Sequence, residues 1–190
     1  PSGVQYGRIA EAAREMIGPP GSNLSRAVLN FVFTKLLPYP ERLGLAARLL
    51  RAYQRTGLRF VIRPLLPKKM REMDSMLPAL SRSFFALKRE SLPPIGPRRA
   101  RVAMLNGCIM PLFFADVNEA TVRVLQRNGC EVVFPKDQIC CGTINTDNGE
   151  SIAAKEMARH NTDAFFAAGV DTVIVNAAGC GAAMKEYGYL

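Results

Sequence analysis

The chain has 190 residues, a formal net charge of +9, 48% hydrophobic residues, five cysteines, one histidine and no tryptophan. That length suffices for one sizeable domain with additions, and the apolar content is ordinary for a globular protein. No stretch is both apolar and uncharged over the roughly 20 residues that a membrane span needs, so an integral membrane protein is excluded, and no secretory signal is present.

In chain order, residues 4–17, "VQYGRIAEAAREMI", have helical spacing and stop at "GPPG". From Asn23 to about Arg89 runs a basic, Leu- and Phe-rich region broken by prolines, whose apolar residues recur at three and four. It predicts several short helices. "SLPPIGPRR", Ser91 to Arg99, is a linker by composition, and a domain boundary is placed there. Beyond it the pattern changes. "RVAML", "CEVVFP" and "DTVIVN" read as buried strands. Between the first two, "DVNEATVRVLQRNG" predicts a helix opened by a capping box of Asp116 and Glu119 and stopped at Asn128-Gly129. "GESIAAKEMARHNTDAFFAAG" predicts a second helix with Ile152, Ala153, Met157, Ala164, Phe165 and Ala168 on its apolar face, and a third starts near Gly181. Strands alternating with helices at this spacing predict a parallel α/β sheet, βαβαβ, preceded by an all-helical basic region.

Charge follows the same division. Residues 1–100 hold 18 Lys and Arg against 6 Asp and Glu, whereas residues 101–190 hold 7 against 10. All the cysteines lie in the second part: Cys108, Cys130, Cys140, Cys141 and Cys180. An odd count without a secretory signal argues for metal or redox roles rather than a disulfide framework. The adjacent pair in "KDQICCGTINTDNGE" is the most pointed feature. A disulfide between neighbours closes a cramped ring, and two thiols in a polar loop make poor core.

On the predicted sheet, Cys108 follows the first strand, Cys140 and Cys141 the second, and Cys180 the third. In a parallel sheet these loops emerge at one edge, the carboxyl ends of the strands, where open α/β sheets bind ligands. Four thiols separated by 31 and 38 intervening residues can therefore converge. Cys130 starts the second strand, roughly 17 Å away at about 3.3 Å per residue, and reads as a small apolar filler. Four thiolates suit zinc or an iron–sulfur cluster. Gly107, Gly142, Gly179 and Gly181 each adjoin a cysteine, where glycine allows close backbone approach and amide donors to sulfur.

"GCIMPLFFADVNEATVRVLQRNGCEVVFPKDQICCGTINTDNGE" followed by "VIVNAAGCGAAMKEYGYL" resembles the first cysteine-rich CCG domain of the glycolate oxidase iron–sulfur subunit family, with lactate-utilisation iron–sulfur proteins and the B subunit of heterodisulfide reductase more distant. The likeness is dense over residues 98–190. "PSGVQYGR" resembles the segment just after the last cysteine of that family's ferredoxin-like domain. The resemblance implies three regions: 1–20, the end of a ferredoxin-like domain; 21–97, a helical connector; and 98–190, a first CCG domain, together a piece of a longer protein. It implies an electron-transfer subunit of a flavin-linked glycolate or 2-hydroxy-acid dehydrogenase, passing electrons towards a quinone-type acceptor, with FAD on a partner subunit. Cys108, Cys140, Cys141 and Cys180 match the motif and would hold the metal, a 4Fe–4S cluster or alternatively zinc. The fullest motif ends Cys-x-x-Cys, whereas Gly181-Ala182-Ala183 follows Cys180 here, which weakens any carry-over of a noncubane double cluster. The implied location is the cytoplasm, with the inner face of the cell membrane as a second site. A zinc-stabilised structural domain and a thiol–disulfide redox site are the alternatives.

His160 reads as a satisfied, partly buried side chain rather than a ligand. No paired carboxylate or second histidine stands near it for acid–base chemistry, and no catalytic residue for substrate chemistry is evident. The basic half carries no nucleic-acid motif. Arg42, Arg48, Arg51, Arg55, Arg59, Arg63, Lys68 and Lys69, interleaved with leucines, predict a cationic rim that docks on an acidic partner subunit or on anionic lipid.

Overall fold

The computed structural model describes residues 3–18, 22–85 and 90–190. Five helices come first: α1 (Tyr6–Ile17), α2 (Asn23–Phe31), α3 (Pro40–Arg55), α4 (Leu58–Ile62) and α5 (Lys68–Met76). α1 ends at Gly18 with φ +72°; Pro19, Pro20 and Gly21 of the predicted stop lie outside the described residues, as do Pro1, Ser2 and Ala86 to Arg89. The Ser22 hydroxyl accepts the Ser25 amide and caps α2, which runs on into a π-helical turn, Val32–Leu36. Pro40 opens α3, where its missing amide costs nothing.

The sheet follows: β1 (Ser91–Leu92), β2 (Ala100–Met104), β3 (Cys130–Val133) and β4 (Thr172–Ile174), in the order β1-β3-β2-β4. β2 runs parallel to both β3 and β4, with Val102 opposite Val132 and Thr172. This is the predicted parallel βαβαβ unit behind a helical region. The predicted linker adds a strand that the sequence does not announce. Ser91 and Leu92 pair antiparallel with Val133 and Val132, and the Ile95 amide donates to Gln126 O at 2.8 Å. Pro93 and Pro94, which follow directly, keep this edge short.

Period-two alternation divides the core. Val102 and Met104 join Val122, Val132 and Phe134 on one face of the sheet. Ala103 and Leu105 join Met157, Phe165 and three cysteines on the other. The first face is covered by α7 (Ala115–Arg127), which follows the short α6 (Met110–Phe113). Phe114 occupies the N-cap without a side-chain bond, so the predicted capping box is absent. Asp116 instead lies in the first turn, where its charge favours the helix start. The stop is as predicted, with Asn128 at the C-cap and Gly129 at φ +79°. The second face is covered by α9 (Ser151–Ala167), preceded by the short α8 (Thr143–Asp147). Its buried residues are Ala154, Met157, Ala158, Asn161 and Phe165, whereas Ile152, predicted to face inward, is 74% exposed.

The helical half docks beside the second face. Leu37 and Leu43 pack on the cysteine-side core, and the Asn145 side chain donates to Phe33 O at 3.2 Å. Two arginines of the predicted cationic rim are half-buried and engaged within the fold. Arg51 donates to Ser81 O at 2.8 Å and stacks on Phe84 with 3.5 Å to the ring centre. Arg59 donates to the buried Asp74 carboxylate at 3.0 Å, which also receives Tyr53 OH at 3.0 Å and lies 3.7 Å from Arg63. Both arginines are half-buried and held by groups of their own half.

Candidate cysteine-thiolate centre

The carboxyl ends of β2, β3 and β4 deliver their loops to one place, and the four predicted thiols meet there. Cys140 Sγ lies 3.7 Å from Cys108 Sγ. Cys140 and Cys141 are within hydrogen-bonding reach of each other, and Cys180 reaches Cys141. Cys108, Cys140 and Cys141 are buried and Cys180 is half-buried, in the first turns of α10 (Ala178–Lys185). Cys130 lies opposite Ala100 at the far end of the ladder, with the other core cluster. All five thiols are free.

The neighbouring sulfurs shift one another's titration. The bond donated by Cys140 holds Cys108 below the ordinary thiol range against the opposing effect of burial, and the backbone amides of Cys108 and Ile109 add to it. The neighbouring sulfurs of Cys140 and Cys180 push Cys141 far down against the effect of burial, helped by the hydroxyl and amide of Thr143. Cys140 and Cys180 are pushed up by their interactions with the neighbouring sulfurs, and burial reinforces this. A thiophilic cation at this row would compete with the protons the thiols share.

The adjacent pair is clamped by residues that the sequence reading does not single out. Asn161, fully buried on α9, accepts the Ile139 amide at 2.8 Å and donates to Cys140 O at 2.9 Å. The Tyr187 hydroxyl donates to Cys141 O at 2.9 Å. Burial pushes that phenol up to about 12, so it remains a donor at neutral pH. The Cys140 amide reaches Pro38 O at 3.3 Å, in the helical half. Asn161 has a trace in the sequence: it lies four residues from both Met157 and Phe165, a carboxamide within an apolar stripe.

Of the glycines, Gly107 (φ +69°) and Gly142 (φ +86°) hold left-handed turns beside Cys108 and Cys141. Gly179 and Gly181 sit within α10. A Cβ at Gly181 would stand 3.0 Å from Val175 Cγ2. His160 is exposed rather than partly buried, and its Nε2 is in hydrogen-bond contact with Asp137 O. A cleft of about 470 Å³ beneath α1 opens on Cys141, with Arg8, Glu11, Asp147, Lys155 and Glu186 at its walls.

The donor set fits a thiolate-ligated group: four sulfurs, three of them on buried residues, and amides directed at Cys108, Cys141 and Cys180. The separation of Cys108 and Cys140 is also what two thiolates on one zinc would show at a Zn–S distance of about 2.3 Å. Among the described residues, however, no three Cys, His, Asp or Glu side chains close around one ion-sized point.

Comparison with known proteins matches two separate parts of the chain. The family model "Cysteine-rich domain" (CCG) matches residues 102–185, and the model "Glycolate oxidase iron-sulfur subunit, linker region" matches residues 24–77. The whole chain is 40% identical to the probable glycolate oxidase iron-sulfur subunit of Bacillus subtilis, of which it covers 45%, and 32% identical to the glycolate oxidase iron-sulfur subunit of Escherichia coli, of which it covers 43%. Lactate utilization protein A of Geobacillus thermodenitrificans is 37% identical over 90 residues, 47% of this chain and 37% of that protein. The chain thus spans less than half the length of the two glycolate oxidase relatives. No solved structure shows a significant match. With the linker and the cysteine-rich domain matched in one chain, and both glycolate oxidase relatives aligned along its whole length, the chain is similar throughout to glycolate oxidase iron–sulfur subunits.

Proposed function

We propose that this chain is the connector and first cysteine-rich domain of an electron-transfer subunit in a flavin-linked glycolate or 2-hydroxy-acid dehydrogenase. The observation that carries the proposal is the meeting of four thiols from three loops at one sheet edge. Cys108, Cys140, Cys141 and Cys180 would hold an iron–sulfur cluster, of the 4Fe–4S type, which supplies one-electron transfer when bound. Asn161 and Tyr187 fix the carbonyls of the cysteine pair. Gly107 and Gly142 turn the backbone so that amides face sulfur, and the apolar core around Met157 and Phe165 excludes water. Residues 1–20 would end a ferredoxin-like domain, residues 21–97 form the connector and residues 98–190 the CCG domain.

Substrate chemistry belongs to an FAD-containing partner subunit, and electrons leave towards a quinone-type acceptor. The assembly works in the cytoplasm, in contact with the inner face of the membrane. No helix among the described residues is long and apolar enough to cross a membrane, so such contact would be peripheral.

Zinc is the second reading, favoured by the Cys108–Cys140 separation and opposed by the lack of a third donor about that pair. Metal analysis, acid-labile sulfide and electron paramagnetic resonance on the anaerobically prepared full-length subunit decide between them. The iron assigned to this site should vanish in Cys140→Ser and Cys141→Ser and persist in Cys130→Ser. Stoichiometric zinc at these cysteines without iron would overturn the proposal.

A further inference from the structure

The helical half presents a ridge that no described part of the fold covers. Along α4 and the 3-10 turn that closes it (Arg63–Leu65), Phe60, Val61 and Leu65 are 86%, 66% and 80% exposed. Val61 and Leu65 are four apart, as are Phe60 and the exposed Pro64, so the four form one stripe over two helical turns. The other side of the same turns is engaged: Arg59 reaches Asp74, and Ile62 is half-buried. Arg55, Arg63, Lys68, Lys69 and Arg71 surround the stripe and are exposed. Among the described residues, Arg55, Lys68, Lys69 and Arg71 form no ion pair. Glu72 is the one exposed carboxylate of this segment. Asp74, the other acid, is buried under Tyr53, Arg59 and Arg63. The exposed charge is therefore predominantly positive.

We infer that this ridge seats the protein on an anionic lipid surface. Phe60, Val61 and Leu65 enter the boundary between headgroups and acyl chains, and Arg55, Lys68, Lys69 and Arg71 rest on the lipid phosphates. The inference rests on the membrane contact proposed above and names the surface that makes it. Three observations favour lipid over a protein partner. The apolar side chains stand on a projecting turn, whereas protein hot spots fill well-packed pockets. Two lysines flank them, and lysine is depleted at protein interfaces. Protruding Phe and Leu ringed by Lys and Arg is the chemistry of helices that lie in a lipid interface.

The test floats the full-length subunit with phosphatidylcholine vesicles, with and without phosphatidylglycerol, and assays iron in each variant. Binding should require phosphatidylglycerol and weaken with salt. Lys68→Gln with Lys69→Gln should weaken it about 25-fold, roughly fivefold per cation, and flatten the salt dependence. Phe60→Ser with Leu65→Ser should weaken it more than about tenfold while leaving the salt dependence in place. All four side chains are exposed, so helicity by circular dichroism should be unchanged. Equal binding to pure phosphatidylcholine, or full binding by both double variants, overturns the inference, as does a patch that proves to bind the purified flavin subunit and not vesicles. The iron assay separates this from the larger reading. Lost vesicle binding with iron retained bears on the ridge alone, and zinc in place of iron bears on the electron-transfer function alone.

Discussion

The two halves of the chain solve the problem of apolar surface differently. Among the described residues, every buried hydrophobic residue but Ala47 comes from position 102 onward. Twenty-one of the twenty-eight exposed large hydrophobics lie in the first hundred positions. The cysteine-rich half has a two-faced sheet with a helix on each face and closes its core. The helical half has no such interior. Its ordering comes from one buried ionic knot at Asp74 and from a narrow seam against the cysteine loops. A region that keeps so much apolar surface outward is built to be covered by something else, while the region carrying the thiols is built to be dry.

The sharpest way to break that contrast is within the dry half. Asn161→Ala should cost about 2–4 kcal/mol, because it leaves the Ile139 amide and the Cys140 carbonyl buried without partners and opens a small void. Denaturant unfolding measures the loss, and metal retention should fall with it. An Asn161→Ala protein of unchanged stability would mean that the cysteine pair is held by its own turn alone. At the seam the expected effect is smaller. Gly149 has φ +78°, and a Cβ there would stand 2.9 Å from the Arg14 carbonyl. Gly149→Ala should cost about 1–3 kcal/mol and release α1, including its bond from Ser151 to Glu15. Hydrogen exchange should rise in α1 while β2 and β3 stay protected.

The smallest and most local effect concerns Asp74. Burial alone would raise its carboxyl, but hydrogen bonds from Arg59 and Tyr53 and the charges of Arg59 and Arg63 outweigh it and hold the group below the usual range. A depressed carboxylate stabilises the fold fully above its unfolded value, about 3.9, and loses that contribution as pH falls through the lower folded value. Acid should therefore loosen α3–α5 only below about pH 4, and Asp74→Asn should reproduce the loosening at neutral pH. Exchange rates across α3–α5 that ignore both changes would remove the ionic knot from the account.

The parallel sheet and the convergence of Cys108, Cys140, Cys141 and Cys180 were legible because both follow from topology: short apolar runs bounded by turns, and loops that leave one edge. What escaped depended on long-range partners. Asp116 and Glu119 look the same whether they cap a helix or merely begin one, and only the fold shows Phe114 in the cap. The apolar face of α9 was misphased through Ile152 because the true face includes a carboxamide, Asn161, whose partners lie more than twenty residues away. Helical periodicity could not say which arginines of the basic half would find Asp74 or Ser81 and which would stay outside. The linker composition of Ser91 to Arg99 was real, yet two residues suffice to extend a sheet at its edge.

The bonds from Cys140 to Pro38 and from Asn145 to Phe33 join residues about a hundred positions apart. Contacts of such separation close large loops and form late in folding. The sheet can assemble around local pairings while the cysteine loop still lacks its outer wall, so the thiols stay reachable until the connector arrives. Docking of the helical half is therefore the step that closes the wall beside Cys140.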